Sequence, residues 1–309
     1  MLLRQFTAAS PSVRTAFRRN ATATWQQLRP KSSAVTPVEL HFDKVVAPDG
    51  NEKGKPLVII HGLFGTKRNW GSLSKAFAKD LGRPVYALDM RNHGTSPHAE
   101  PHSYLAMAAD VLHFLDRHKL TNISLMGHSM GGKVAMAVAL DPSLPSDLLS
   151  NLVVVDIAPS VGSLSPEFQG YIQAMQEIED HDVMSRKEAA SLLEPYEQDP
   201  MTCAFLLMNL EHAGPHHPKP LKFKIPIGLL GRSIPELGGF PYTPGERTFE
   251  KPTLFIKGSR SKYINRHNVG LAEELFPNMT MKELPTGHWV HSEKPNEFKA
   301  MVTEFLKDN

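Results

Sequence analysis

The segment ISLMGHSMGGKVAMAVAL, residues 123–140, is the most informative about the fold, because it joins an apolar strand to a helix through a turn framed by glycines. Its centre, Gly127-His128-Ser129-Met130-Gly131, has the G-x-S-x-G pattern of a nucleophile elbow. Such a sharp turn leaves no room for side chains beside the serine, and it exposes the hydroxyl at a helix N-terminus, where developing negative charge is stabilised. The segment therefore predicts that Ser129 is a nucleophile. The alternative is a glycine-rich turn with an incidental serine.

The remainder of the chain alternates apolar runs with amphipathic stretches, which predicts an α/β fold with a mostly parallel sheet and helices on both faces. Strands are predicted at residues 38–46, 56–60, 84–90, 123–127, 152–157, 252–256 and 279–284. Helices are predicted at residues 69–79, 102–118, 130–140 and 295–306. These elements place the serine turn inside a sheet of several strands.

Between residues 157 and 251 this alternation stops. Three helical stretches, at 165–179, 185–197 and 201–212, are followed by a loop rich in Pro, Gly and His and then by residues 227–240. An insertion of this length is too long for a simple loop. Ligands bind at the carboxyl ends of the strands in open α/β sheets. We therefore expect a helical cap at about residues 160–250, over the edge of the sheet that carries Ser129.

A serine hydroxyl needs a basic partner before it can attack a carbonyl group, and histidine is the usual base. The chain has fifteen histidines, and His288 lies in a short loop between the last predicted strand and the closing helix, which favours it as the base. His291, three residues further on, is the competing candidate. The two could also form a metal-binding pair, although no third ligand stands at a suitable spacing. His61 and His93 lie in loops expected beside the site and are predicted to support it by hydrogen bonds.

The acidic partner of the histidine is harder to assign from the sequence. In most proteins with this arrangement it follows the penultimate strand, but here that strand runs into Gly258-Ser259-Arg260-Ser261-Lys262-Tyr263, which contains no carboxylate. The preceding strand ends at Asp156. A carboxylate at the end of an apolar strand is costly to bury without a partner, and from the sheet edge Asp156 can accept the ring N–H of His288. The alternative is an aspartate that only caps a strand end.

Acyl transfer also needs hydrogen-bond donors for the oxyanion of the tetrahedral intermediate. We predict that the backbone N–H of Met130, directly after the nucleophile, supplies one. The second is expected from the loop His61-Gly62-Leu63-Phe64-Gly65, at the N–H of Leu63.

Composition excludes several other classes. The chain has 309 residues, 41% hydrophobic and 21% charged, as in globular proteins. No stretch approaches the roughly 18 consecutive apolar residues that a transmembrane helix needs. The single cysteine, Cys203, excludes a disulfide framework and zinc sites built on several thiolates. No nucleotide-binding or metal motif is present, so we expect no cofactor, no metal and no transmembrane segment.

The N-terminal region differs in charge from the rest of the chain. Residues 1–38 contain six basic residues and no acidic one, which leaves 28 basic against 32 acidic residues elsewhere. A tail rich in Arg, Ser, Thr and Ala and free of acids is typical of a mitochondrial transit peptide. We therefore predict that residues 1–37 direct the protein to mitochondria, with the matrix as its location. The alternative is a disordered basic arm that contacts nucleic acid or lipid. The mildly acidic body predicts no nucleic-acid partner.

Five motifs in one order, found from about residue 56 to the C-terminus, resemble the family of alpha/beta-hydrolase domain-containing protein eleven. They are HGLFG (61–65), DMRNHG (89–94), GHSMGGK (127–133), VDIAP (155–159) and GHWVH (287–291). This family includes small bacterial esterases and fungal mitochondrial ethanol acetyltransferases. The resemblance implies an α/β-hydrolase fold over residues 38–309, an acid after the strand that follows the nucleophile, which supports Asp156, and a mitochondrial location.

Together these features predict a serine-dependent acyl hydrolase that cleaves a small carboxylic ester or thioester through an acyl-enzyme. The first alternative is an alcohol O-acyltransferase that passes acetyl from acetyl-CoA to an alcohol such as ethanol. Both reactions share one acyl-enzyme, and the product depends on whether water or alcohol reaches it. The second alternative is a catalytically silent binding protein.

Overall fold

The structure, a computed structural model, describes residues 35–212 and 219–309. Most of the predicted transit peptide, residues 1–34, therefore lies outside the described residues. The strands in the described part are β1 (Phe42–Val45), β2 (Leu57–Ile60), β3 (Val85–Leu88), β4 (Ile123–His128), β5 (Leu149–Val155), β6 (Leu210–His212), β7 (Leu221–Phe223), β8 (Thr253–Gly258) and β9 (Met279–Leu284).

The helices in the same ranges are α1 (Gly71–Leu81), α2 (Tyr104–Arg117), α3 (Met130–Ala139), α4 (Pro166–Asp180), α5 (Arg186–Leu193), α6 (Pro200–Leu207), α7 (Ile227–Leu237), α8 (Val269–Leu275), α9 (Val290–Glu293) and α10 (Pro295–Asp308). A 3-10 turn at Lys67–Trp70 precedes α1. Within the described ranges, no helix combines the length and the apolar character that crossing a membrane requires.

Seven strands form the central sheet in the order β1-β3-β2-β4-β5-β8-β9. β1 pairs antiparallel with β3, and the other neighbours are parallel. All four residues of β2 are fully buried, as expected for a strand covered on both faces. On one face, α1 and α10 enclose a core that includes Trp70, Phe77 and Phe298. α3 packs on β2, β4 and β5 and against α2. The predicted α/β-hydrolase fold is confirmed.

The first strand is shorter than the predicted 38–46. Backbone N–H groups before Phe42 donate to side chains, although the carbonyl of His41 still accepts the N–H of Asp89, just after β3, at 2.8 Å. The N–H of Val38 donates to Asp110 Oδ1 at 2.8 Å, and the N–H of His41 donates to Ser96 Oγ at 2.8 Å. Pairing with the sheet therefore begins only at Phe42, opposite Leu88.

The inserted segment between β5 and β8 contains α4, α5 and α6 at the three predicted helical stretches, α7 within residues 227–240, and a small sheet that the sequence did not predict. The predicted helix 201–212 ends at Leu207, and Leu210–His212 forms β6, antiparallel to β7. Arg186 donates to the carbonyls of Leu207 and Leu210. The first bond satisfies a carbonyl at the end of α6 that has no partner within the helix, and the second fixes the first residue of β6, so the chain can leave the helix and pair with β7. We call residues 160–250 the cap.

Candidate active site

The serine elbow has the tight geometry that its glycines indicate. Ser129 stands between β4 and α3 with φ 53° and ψ −119°, a strained backbone conformation for a residue with a side chain. Its N–H donates to the carbonyl of Val155 at 3.0 Å. A Cβ atom added at Gly127 would lie 2.0 Å from the carbonyl oxygen of Gly131, so the two arms of the turn approach too closely for any other residue. The serine hydroxyl stands at the N-terminus of α3.

His288 contacts Ser129 directly. Its Nε2 lies 2.9 Å from Ser129 Oγ, and its Nδ1 lies 2.7 Å from Asp156 Oδ2. Because an ionised carboxylate can only accept, Nδ1 donates its proton to Asp156, which leaves Nε2 free to accept the serine proton. The three predicted side chains therefore form one hydrogen-bonded row.

Asp156 is fully buried and follows β5 directly. Its backbone has φ 51°, which turns the side chain away from the strand direction. Oδ1 accepts the N–H of Gly258, at the end of β8, at 2.9 Å. Asp156 therefore combines the two interpretations that the sequence left open: one oxygen caps a neighbouring strand, and the other contacts His288.

His291, the competing histidine, does not contact the serine. Its ring stacks on Trp70, with centroids 4.4 Å apart and an interplanar angle of 11°. Burial, assisted by the nearby His288, lowers the pKa of His291 to about 3, so this ring is neutral. No cluster of three or more His, Cys, Asp or Glu suited to a metal ion occurs in the described ranges. Of the two histidines, His288 alone reaches Ser129.

His128, the residue before the serine, supports the loop that carries His288. Its Nε2 lies 2.9 Å from the carbonyl oxygen of His288, and a carbonyl only accepts, so Nε2 carries the proton. Burial, together with the neighbouring rings of His291 and His288, lowers the pKa of His128 well below its ordinary value. The neutral ring thus connects the elbow to the histidine loop, a role that the motif alone did not indicate.

The loop after β2 carries Leu63, the predicted oxyanion donor, and it packs directly against the elbow. A Cβ atom added at Gly62 would lie 3.3 Å from Ser129 Cβ. The carbonyl of Gly62 accepts from the ring Nδ1 of His61 at 2.8 Å and from the N–H of Gly65 at 2.9 Å. Because a peptide C=O and the following N–H point in opposite directions, these bonds turn the N–H of Leu63 away from Gly65.

The two support histidines fix this loop through their remaining ring nitrogens. His61 Nε2 accepts the N–H of Met90 at 3.0 Å, and His93 Nε2 accepts the N–H of Phe64 at 3.1 Å. Burial lowers the pKa of both rings, so both stay neutral and able to accept. Among the hydrogen bonds of the described residues, none uses the N–H of Leu63 or of Met130, so both donors are available to a ligand.

The loop 258–263, where an acid was sought, provides other groups. Gly258 donates to Asp156, and the ring of Tyr263 lies 4.1 Å from the ring of His288, tilted by 36°. Burial, with the nearby carboxylates of Glu167 and Asp156, raises the pKa of Tyr263. The sequence offered no signal for this contact, because an aromatic residue in a loop has no spacing pattern that identifies its partner.

A cavity of about 950 Å³ opens onto Ser129 and His288. It is lined by the loop 61–65, called the oxyanion loop below, by the loop 287–289, and by residues of α4 and α6. Its apolar walls include Leu63, Phe64, Phe168, Phe205, Leu206 and Trp289. The cap therefore covers the serine with a chamber large enough for an acyl chain and its leaving group.

Comparison with known proteins agrees with this geometry. Residues 55–295 match the family model described as alpha/beta hydrolase fold. The sn-1-specific diacylglycerol lipase ABHD11 of Danio rerio is 37% identical over 277 residues, which cover 88% of this chain and 84% of that protein. Ethanol acetyltransferase 1 of Hanseniaspora uvarum is 27% identical over 303 residues, covering 91% and 89%.

Among solved structures, the chain is similar to one described as a marine microorganism esterase. The two share 33% sequence identity and a TM-score of 0.78, over 87% of this chain and 99% of that one. The chain therefore belongs to the α/β-hydrolase fold family, with relatives of the ABHD11 and alcohol acetyltransferase types, and it is an enzyme of the serine-hydrolase kind.

Proposed function

We propose that the enzyme cleaves carboxylic esters through an acyl-enzyme on Ser129, with His288 as the proton carrier and Asp156 as its orienting acid. One observation carries the proposal: the row of hydrogen bonds from Ser129 Oγ to His288 Nε2 at 2.9 Å and from His288 Nδ1 to Asp156 at 2.7 Å, which opens into the capped cavity. Small-molecule esters are the substrates that the lipase and acetyltransferase relatives imply.

In this mechanism Ser129 Oγ forms a bond to the ester carbonyl carbon while its proton moves to His288 Nε2. The N–H groups of Leu63 and Met130 donate to the resulting oxyanion. When the bond to the leaving alcohol breaks, that alcohol takes the proton from Nε2. Water then repeats the sequence on the acyl-enzyme, releasing the carboxylic acid and returning the proton to Ser129.

A panel of p-nitrophenyl esters tests this function, with the release of p-nitrophenol as the readout. Ser129→Ala should lower kcat by several orders of magnitude, since removing a triad nucleophile has that effect in serine hydrolases. A fluorophosphonate probe should label the wild type on Ser129. Absence of both turnover and labelling would instead support the catalytically silent binding protein.

The charge of the cavity favours neutral substrates. Within the described residues its lining carries the carboxylates of Glu167, Glu197, Asp199 and Glu293 and one cation, Arg260, which pairs with Glu293 at 2.9 Å. Three carboxylates of the cap therefore remain without a cation in the lining. Such a wall repels a polyanionic carrier such as coenzyme A, whereas an uncharged acylglycerol meets no such barrier. We propose neutral esters, of the kind that the diacylglycerol lipase relative is named for, as the preferred substrates.

The carrier preference can be tested with two donors of the same acyl group, acetyl-CoA and p-nitrophenyl acetate. Neutral esters should give the higher kcat/KM, and Glu167→Gln should raise kcat/KM for acetyl-CoA a few-fold at low salt, with the gain fading as salt screens the charge. The same variant should leave the neutral ester unaffected. An acetyl-CoA preference that neither salt nor Glu167→Gln changes would contradict the proposal.

The alternative is alcohol O-acyl transfer, supported by the relative named ethanol acetyltransferase 1. The same acyl-enzyme would then be resolved by an alcohol, and the apolar cap would favour it by limiting the access of water. The test adds ethanol to the assay and compares ethyl ester with free acid. A yield of free acid that ethanol leaves unchanged would contradict transfer.

We also propose that residues 1–37 direct the enzyme to the mitochondrial matrix. Six basic residues and no acidic residue in this region support the proposal. Fusing residues 1–37 to a fluorescent protein should send it to mitochondria. A fusion that stays dispersed in the cytosol would contradict it.

A further inference from the structure

The cap contacts the backbone of the oxyanion loop through Asn209. Its Nδ2 donates to the carbonyl oxygen of Phe64 at 2.7 Å. The side chain is only 1% exposed, so water does not compete for this bond. Phe64 directly follows Leu63, whose N–H is the proposed oxyanion donor.

The conformation of Phe64 explains why its peptide groups need partners. Its φ is 62°, the left-handed region, which is unfavourable for a bulky residue. The N–H of Phe64 donates to His93 Nε2 at 3.1 Å, and its carbonyl accepts from Asn209. One partner belongs to the core and the other to the cap, so the strained turn is fixed from both sides. Without either bond, rotation at Phe64 would move the adjoining peptide of Leu63.

Asn209 is an integral part of the cap, because its backbone is bonded on both sides to other cap residues. Its N–H donates to the carbonyl of Leu206, at the end of α6, at 3.3 Å, and its carbonyl accepts the N–H of Lys224, just after β7, at 2.9 Å. The side chain can therefore reach Phe64 only when α6 and the β6–β7 sheet lie over the site.

We propose that Asn209 is a positioning residue through which the seating of the cap sets the geometry of the oxyanion hole. With the cap in place, Phe64 stays in its left-handed conformation and the N–H of Leu63 is aimed at the position beside Ser129. When the cap lifts, the loop loses this constraint and the donor is misaligned. Catalysis is thereby coupled to closure over a bound substrate. The inference rests on the proposed acyl-enzyme mechanism.

Asn209→Leu tests this role, because leucine has a similar volume and no donor. Since the lost bond acts through an oxyanion donor, kcat should fall roughly 10- to 100-fold while KM changes less than about 3-fold. The rate of fluorophosphonate labelling should fall in parallel with kcat, because the phosphonyl oxygen occupies the same oxyanion position. A kcat within two-fold of wild type would overturn the proposal.

Tyr104→Phe is the matched control. Tyr104 forms a second hydrogen bond between the core and the cap, in the opposite direction: its hydroxyl donates to the carbonyl of Leu237 in the cap at 2.7 Å. Tyr104 and Asn209 are both buried. This bond lies at α7, away from the oxyanion loop. We expect a comparable loss of thermal stability with kcat unchanged. An equal fall of kcat in both variants would show that Asn209 acts only through general cap stability, and would overturn the proposal.

Asn209→Asp gives a second test that does not depend on the folding of the leucine variant. An ionised aspartate cannot donate to Phe64, whereas a protonated one can. The ratio of its kcat to that of the wild type should therefore rise as the pH is lowered from 8 to 6. A ratio that does not change with pH would contradict the role. Ser129→Ala in the same assay distinguishes a failure of the Asn209 proposal from a failure of the acyl-enzyme mechanism, because activity in that variant would refute the mechanism itself.

Discussion

Asp156→Asn is the substitution whose effect the structure specifies most fully. The side chain keeps its shape, and the N–H of Gly258, 2.9 Å from Oδ1, selects the orientation in which the amide oxygen stays at that position. The amide nitrogen must then face His288 Nδ1, where Asp156 Oδ2 accepted at 2.7 Å. To accept from that nitrogen, the imidazole must move its proton to Nε2. It then donates to Ser129 instead of accepting from it.

The expected fall in kcat follows from this loss of the general base. An inverted tautomer in a serine triad lowers kcat by about 10⁴, which corresponds to about 5 kcal/mol of transition-state stabilisation. Folding stability should change little, because no Lys or Arg among the described residues pairs with Asp156 and would be left uncompensated. The assay is kcat for a p-nitrophenyl ester, with urea unfolding measured on the same sample.

Asp110→Asn is the matched control at a second buried aspartate. Asp110 forms a two-bond pair with Arg91, with both contacts at 2.6 Å and both side chains fully buried. Removing its charge leaves the Arg91 guanidinium buried without a charged partner and should cost about 3–5 kcal/mol of stability, while kcat of the folded fraction stays near wild type. If Asp156→Asn loses less than ten-fold in kcat, or loses activity only in proportion to stability, the assignment of Asp156 is refuted.

Three further predictions concern the loop, the cap junction and acid stability. Gly62→Ala should lower kcat roughly 100-fold, as loss of one donor does, because the added Cβ would lie 2.9 Å from His128 Nδ1 and 3.3 Å from Ser129 Cβ and would push the oxyanion loop from the elbow. A kcat within three-fold of wild type would refute the packing argument. Lys133→Met should cost roughly 1–3 kcal/mol in urea unfolding, because the Lys133 ammonium bonds the carbonyl of Gly239 at 2.8 Å at the cap exit; an unchanged midpoint would contradict this. Burial lowers the pKa of His102 to about 3, so below about pH 6.5 the unfolded chain binds a proton that the folded chain does not, and stability falls. His102→Asn should remove about 1.4 kcal/mol per pH unit of that slope, and parallel pH curves for wild type and variant would contradict it.

The sequence predicted the features that have a local signature. The strand, glycines and helix around Ser129 are contiguous, so residues 123–140 were sufficient to predict the turn that the structure contains. His288 could be placed by its position after the last strand. Asp156 required elimination, because the loop 258–263 has no carboxylate. The structure brings these side chains together, while their catalytic roles remain predictions.

The contacts that the sequence did not indicate join distant parts of the chain. Asn209 reaches Phe64 across 145 positions, and Lys133 reaches Gly239 across 106. No periodicity encodes such pairs, since each depends on how the cap packs on the core. The same reason explains the missed strand Leu210–His212, which follows the apolar run of α6 closely and is distinguished from a continued helix only by its pairing with β7.

The proposed mechanism requires a covalent acyl group on Ser129 during turnover. Intact-mass spectrometry of protein quenched in acid during turnover of a p-nitrophenyl ester, followed by peptide mapping, tests it most directly. We expect a mass increase of one acyl group on the peptide that contains Ser129, and none in Ser129→Ala. An acyl group on another residue, or turnover by Ser129→Ala within ten-fold of wild type, would contradict it.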